Sequence, residues 1–149
     1  MKPVNCLSLK KKVRFGDCDS ANVIHFHNLF RWAHESWEES IEKYGISFDE
    51  IFPCSSSKSK VLFPIVKSEA YFFKPIHLGD QLIINILPTK INNYSFKVET
   101  NFFRDSIKVA QSIIIHYTID ANTNLKVEIC DNLEKWIESS NIKNYIEEC

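Results

Sequence analysis

With 149 residues, 44% of them hydrophobic and 25% charged, the chain has the composition of one globular domain, residues 1–149, and not of a disordered or fibrous segment. Eighteen basic and nineteen acidic residues leave a formal net charge of -1, which gives no global support to nucleic acid or an anionic membrane as partner. No apolar run approaches the ~20 residues of a spanning helix, the first residues lack the apolar stretch of a secretory signal, and the five cysteines form no C-x-x-C pair, so free thiols in a cytoplasmic protein are expected.

Lys10 to Phe15 reads as a short strand with Val13 and Phe15 on one face. Gly16 to Asn22 is polar and turn-forming. From Asn28, and at the earliest from His25, a helical period takes over: Phe30, Ala33, Trp37, Ile41 and Tyr44 fall at steps of three and four and share one face. Gly45 is its stop signal. Ser47 to Ser59 reads as an irregular loop, and Val61 to Lys74 as a long strand with Pro64 near its start. After the turn Pro75–Asp80, three strands follow: Gln81–Ile91, Tyr94–Arg104 and Ile107–Asp120. Asn92-Asn93 and Asp105-Ser106 join them. Asn122-Thr123-Asn124 is another turn, Leu125–Ile129 a last strand, and Asp131 caps a final amphipathic helix carrying Leu133, Trp136, Ile137 and Ile142. The order is α+β, with one long apolar helix wrapped by a curved antiparallel sheet.

The densest polar cluster is Asp17-Cys18-Asp19 followed by His25-Phe26-His27-Asn28, between the first strand and the long helix. Carboxylates and imidazoles there can do acid-base or nucleophilic work. The unpaired N–H groups of a helix start can polarise a carbonyl oxygen. A plain turn with a helix cap accounts for the same D-x-D. A metal site from Asp17, Asp19, His25 and His27 is the weaker alternative: two histidines two apart in a helix point to different sides, and no third ligand stands nearby apart from Cys18. There is no G-x-S-x-G and no glycine-rich phosphate loop, and Cys18 between two aspartates is in the wrong field for a thiolate nucleophile. His77 and His116 read as ordinary turn and strand residues.

The segment Val13-Arg14-Phe15-Gly16-Asp17-Cys18-Asp19 through Val23-Ile24-His25-Phe26-His27-Asn28 to Trp32 resembles the signature of the 4-hydroxybenzoyl-CoA thioesterase family. Pro64-Ile65-Val66 and Pro75, Gly79-Asp80 and Leu82 are similar to its downstream pattern. The resemblance implies a hotdog fold, an acyl-CoA substrate, and a homodimer or homotetramer with active sites between subunits. It implies Asp19 as the catalytic carboxylate, the Phe26 backbone N–H as oxyanion donor, a structural Asp17, and no metal or bound cofactor. Asn22 replaces the family's usual glycine, a change a left-handed turn accepts. His34 stands where an acidic helix residue is common.

Within the family the chain is most similar to the branch acting on 1,4-dihydroxy-2-naphthoyl-CoA in phylloquinone and menaquinone synthesis. That likeness implies contacts from His25 and His27 to a flat aryl group. Lys90 and Lys97 are the nearest substitutes for the family's basic coenzyme A cluster. A short- or medium-chain aliphatic acyl-CoA or acyl carrier protein thioesterase, and a hotdog module that binds acyl-CoA without cleaving it, are the rival readings.

Overall fold

The computed structural model describes residues 7–55 and 60–141. The period-two apolar pattern of the C-terminal half builds the sheet. Strand β4 (Gln81–Asn92) buries Leu82, Ile84 and Ile86, β5 (Ser95–Arg104) buries Phe96, Val98 and Phe102, and β6 (Ile107–Tyr117) buries Ala110 and Ile114. These residues face one another in register, with Ile84 opposite Phe102 and Val98 opposite Ile114, so all turn to one side. With β1 (Ser8–Lys12) and β3 (Ile65–Phe72) at the edges, the order is β1-β4-β5-β6-β3, every pairing antiparallel.

Helix α1 (His27–Tyr44) lies on that apolar face. Leu29, Trp32, Ala33, Trp37 and Ile41 are buried in the common core, and Trp32 meets Phe102 while Trp37 meets Phe96, at 6.5 and 6.0 Å between ring centroids. Phe30 and Tyr44, on the predicted face, are only partly buried at its margins. Helix α3 (Asp131–Glu138) closes one end, where the Trp136 indole donates to Ser40 Oγ at 2.9 Å. This is the hotdog arrangement of a long helix held by an antiparallel sheet. Among the described residues no helix is long and apolar enough to cross a membrane.

Several boundaries differ from the sequence reading. The first strand ends at Lys12, and Phe15 begins a 3-10 turn over Phe15–Asp17 that leaves it 83% exposed, not on Val13's buried face. The Asp17 carboxylate closes that turn on the Arg14 N–H. The long strand expected over 61–74 breaks at Pro64, which has no N–H for the ladder. Its halves are β2 (Val61–Leu62) and β3. Strand β6 likewise stops at Tyr117. Thr118 turns the chain, with its N–H on the Tyr94 carbonyl and its hydroxyl within reach of the Val127 carbonyl, and β7 (Ile119–Asp120) pairs with β2.

Leu125–Ile129 is not a strand: Lys126 forms a single bridge to Ile119, and Ile129 bonds to Asn93. The expected loop after Gly45 contains the one-turn helix α2 (Phe48–Ile51). Cys130, not Asp131, is the cap position of α3, and Asp131 is its first residue. Ile142 lies outside the described residues.

The turn residues behave as their chemistry predicts. Asn22, Asp105, Ser106 and Asn124 all adopt positive φ. Gly45 ends α1 at φ 102°, with its N–H on Glu42 and that of Ile46 on Ile41. A Cβ at Gly45 would meet nothing within 4 Å, so its cost is purely conformational. Gly45→Ala is expected to cost about 1–2 kcal/mol in urea unfolding, with no change in activity.

Candidate active site

The loop between β1 and α1 is built around Asp17. This residue is buried; its Oδ2 accepts the Arg14 N–H at 2.9 Å, and its carbonyl accepts both the His25 N–H at 2.8 Å and Asn28 Nδ2 at 2.7 Å. The first bond closes the loop on itself, and the other two pin it to the helix start. Cys18 bridges to Ile24, and the chain between them doubles back: the Asp19 N–H donates to Val23 O at 2.8 Å, and the Asn22 N–H to Asp19 O at 3.1 Å. Asn22 supplies the left-handed step at φ 65°.

Asp19 is pushed outward at the tip. Its Oδ1 accepts the Ala21 N–H at 2.8 Å, an Asx turn that fixes the carboxylate plane. Its Oδ2 has no partner among the described residues.

Helix α1 starts without a side-chain cap or an acidic residue in its first turn. The Asn28 N–H returns to His25 O and that of Leu29 to Phe26 O. The N–H groups of Phe26 and His27 remain without a partner among the described residues, so the positive end of the helix is open.

The opposite wall comes from the end of β3. The N–H groups of Phe73 and Lys74 both reach the Val109 carbonyl, at 2.9 and 3.1 Å, which kinks the chain away from the ladder. Two bonds then set the segment in place: Ile24 N–H to Ile76 O at 3.0 Å, and Arg104 Nη1 to Pro75 O at 2.9 Å. Between the two segments lies a cavity of about 500 Å³, with Asp19, Val23 and Phe26 on one side and Phe72, Lys74 and Ile76 on the other. That volume suits a small organic group. A second hollow, lined by Phe15, Cys18 and Leu78, opens on the other side of Asp19. One cavity therefore borders a carboxylate oxygen free to attack and the helix start whose N–H groups can polarise a carbonyl.

The other predicted residues fall around this centre. His25 and His27 are exposed beside Phe26, and their Nδ1 atoms approach to 2.5 Å. His25 precedes the helix, so the two rings come together where in-helix spacing predicts opposite sides. Neither lines the cavity. The Asp17 carboxylate accepts the Arg14 N–H and bonds to neither ring among the described residues. Among the described residues no three His, Cys, Asp or Glu gather as a metal-binding group.

Lys90 pairs with Glu134 of α3, and Lys97 lies opposite Thr89 with its ammonium 3.9 Å from Glu99. Both stand about eight or nine residues along the ladder from Gln81, where β4 meets β1. At about 3.3 Å per residue they are some ~25–30 Å from that end, and one chain does not bring them to Asp19. Desolvation, then the Asp17 and Asp19 charges, push the Cys18 thiol up, which agrees with its reading as no nucleophile.

Sequence reasoning missed the wall formed by Phe72, Lys74 and Ile76. The available signal was an aromatic pair running straight into Lys-Pro at a strand end, a cation stranded in an apolar run.

Comparison with known proteins fits this geometry. The family model described as the thioesterase-like superfamily matches residues 13–137. A 1,4-dihydroxy-2-naphthoyl-CoA hydrolase of Prochlorococcus marinus subsp. pastoris (strain CCMP1986 / NIES-2087 / MED4) is 59% identical over 150 residues, covering 100% of both chains. A crystal structure from Prochlorococcus marinus str. MIT 9313 superposes with a TM-score of 0.89 at 42% identity, covering 94% of this chain and 99% of that one. A 1,4-dihydroxy-2-naphthoyl-CoA thioesterase from Synechocystis shares the fold, with a TM-score of 0.80 at 22% identity over 88% of this chain and 94% of its own. The chain belongs to the thioesterase-like superfamily.

Proposed function

We propose that the protein hydrolyses 1,4-dihydroxy-2-naphthoyl-CoA to the free naphthoic acid and coenzyme A. The observation that carries this reading is the 59% identity over both full lengths with a hydrolase named for that thioester. The cavity supports it. A thioester carbonyl placed with its oxygen at the Phe26 N–H presents its carbon to Asp19 Oδ2. Attack by that oxygen, or by a water it deprotonates, drives charge onto the carbonyl oxygen, where the N–H and the helix start stabilise it. Collapse expels the thiolate, which leaves as the free thiol of coenzyme A. On the nucleophilic route water then cleaves the acyl anhydride and restores Asp19. The apolar walls suit a flat aryl group, and the exposed rings of His25 and His27 beside Phe26 are in this reading the groups that stack on it or bind its hydroxyls.

The working unit in this reading is a homodimer or homotetramer of single-domain chains in the cytoplasm, using neither metal nor bound cofactor. Edge strand β3 supports the dimer: Ile65, Val66, Tyr71 and Phe72 are each about half exposed along an open ladder edge. Lys90 and Lys97 join the coenzyme A contacts where a second copy brings them alongside. Release of free thiol from a panel of acyl-CoAs tests the proposal. Hydroxynaphthoyl-CoA is expected to outrun medium- and long-chain acyl-CoA by at least about tenfold in kcat/KM. A preference for fatty acyl chains would overturn the assignment, and tight binding without cleavage of any thioester would point to a binding module.

A further inference from the structure

We infer that Lys74 is a specificity-determining residue, which reads a hydroxyl oxygen on the acyl group next to the thioester. The inference rests on the reading of the protein as a naphthoyl-CoA thioesterase. Lys74 lies on the wall opposite Asp19, in the segment kinked by the two hydrogen bonds that the Phe73 and Lys74 N–H groups donate to the Val109 carbonyl, and stitched to the Asp19 loop through Ile24 and Ile76. Its neighbours on the cavity wall are apolar: Val23, Ile24, Phe72, Phe73 and Ile76. It forms no ion pair among the described residues, although seven other Lys or Arg side chains do. The cavity lining thus includes one anion, Asp19, and one cation, the exposed Lys74, which form no ion pair with each other.

An ammonium is a donor only, with three N–H groups and no lone pair. In the open cavity water satisfies it. An acyl group that fills the cavity displaces part of that water from the exposed Lys74, and the ammonium is best satisfied where the group supplies an acceptor in its place. An alkyl chain or a bare aryl ring has none to offer. A hydroxyl on the ring carbon beside the thioester has lone pairs, and as a phenol it is acidic enough to share its proton or lose it next to an ammonium. Sites built to bond a substrate hydroxyl reject the analogue that lacks it, because their own polar group goes unpaired. The facing charges therefore divide the substrate: its electrophilic carbon toward Asp19, its hydroxyl oxygen toward Lys74.

A coenzyme A phosphate is the other anionic oxygen that could reach Lys74, and the test separates the two. Wild type, Lys74→Met and Lys74→Arg are compared on 1-hydroxy-2-naphthoyl-CoA and 2-naphthoyl-CoA, and on the N-acetylcysteamine thioesters of the same acids, which carry no phosphate. Lys74→Met is expected to lower kcat/KM for the hydroxylated acyl group about ten- to a hundredfold and to raise, not lower, that for the unsubstituted one, whose binding no longer leaves an ammonium unpaired, with either thiol. Lys74→Arg keeps the charge and the donors and is expected to retain most of the preference. An equal loss on both acyl groups that vanishes with the phosphate-free thioesters would assign Lys74 to coenzyme A and overturn the inference. No loss on any substrate would overturn it as well. Wild type inactive on both naphthoyl thioesters would instead bring down the parent reading, and this one with it.

Discussion

Asp19→Asn is expected to lower kcat by about three orders of magnitude or more with the fold unchanged. The two halves of that expectation come from the two carboxylate oxygens. Oδ1 accepts the Ala21 N–H and holds the Asx turn. An asparagine oxygen makes the same bond, so the loop, the Asn22 turn and the pinning bonds of Asp17 survive. Oδ2, which has no partner among the described residues, becomes an amide nitrogen with no lone pair for a carbonyl carbon and no basicity for a water. Substrate binding depends on the walls and on Lys74, so KM is expected to stay within about threefold and the loss to fall on kcat. Stopped assays on hydroxynaphthoyl-CoA, with thermal unfolding run beside them, check both halves. Turnover near that of the wild type in Asp19→Asn would remove Asp19 from the chemistry.

The sequence made one half of this site visible and hid the other. Asp19, the helix start and the positive φ of Asn22 sit within a dozen residues, and local chemistry announces them. Even there, D-x-D spacing alone could not separate Asp17 from Asp19. The distinction is made by bonds of Asp17 to Arg14, His25 and Asn28, and side-chain direction in a turn has no period to betray it. The far wall, Phe72 to Ile76, arrives through the β3–β6 ladder and the Ile24–Ile76 bond, contacts that depend on the folded sheet.

The strands β4, β5 and β6 were legible because one face is buried, and a slip by one residue would expose Ile84, Phe96 and Ile114 together. Their ends were not. The apolar pattern runs on through Pro64 to Ile65 and through Thr118 to Ile119, while the breaks come from a missing N–H and from Thr118's bonds to Tyr94 and Val127. His116, taken in sequence as an ordinary strand residue, has the inward parity of β6, and the structure gives it a larger role.

Acidification from about pH 7 to about pH 4 is expected to remove about 3 kcal/mol of stability through His116. Its ring is 1% exposed on the inner face of β6, stacked on Phe96 at 5.1 Å and set against Trp37 at 4.6 Å, with His34 at 5.8 Å. The Phe63 carbonyl can only accept, so Nδ1 carries the proton in their 3.1 Å bond, and a second proton would have to enter the aromatic cluster at Nε2. Burial pushes the imidazole down from 6.5 to about 4, against the upward pull of the Phe63 carbonyl and with a small further push from His34.

The sign follows from proton counts. Above pH 6.5 both states hold a neutral ring; below it the unfolded chain takes up a proton that the folded one refuses until about pH 4. The unfolded state therefore binds more protons throughout that window, and stability falls as the pH falls through it. The gap from 6.5 to about 4 corresponds to about 3 kcal/mol. His34, also pushed down by burial, steepens the same slope. His116→Gln keeps a donor for the Phe63 carbonyl and cannot titrate, so its urea midpoint is expected to fall less than the wild type's over the same range. Parallel pH profiles for the two proteins would mean that the acid lability comes from elsewhere in the chain.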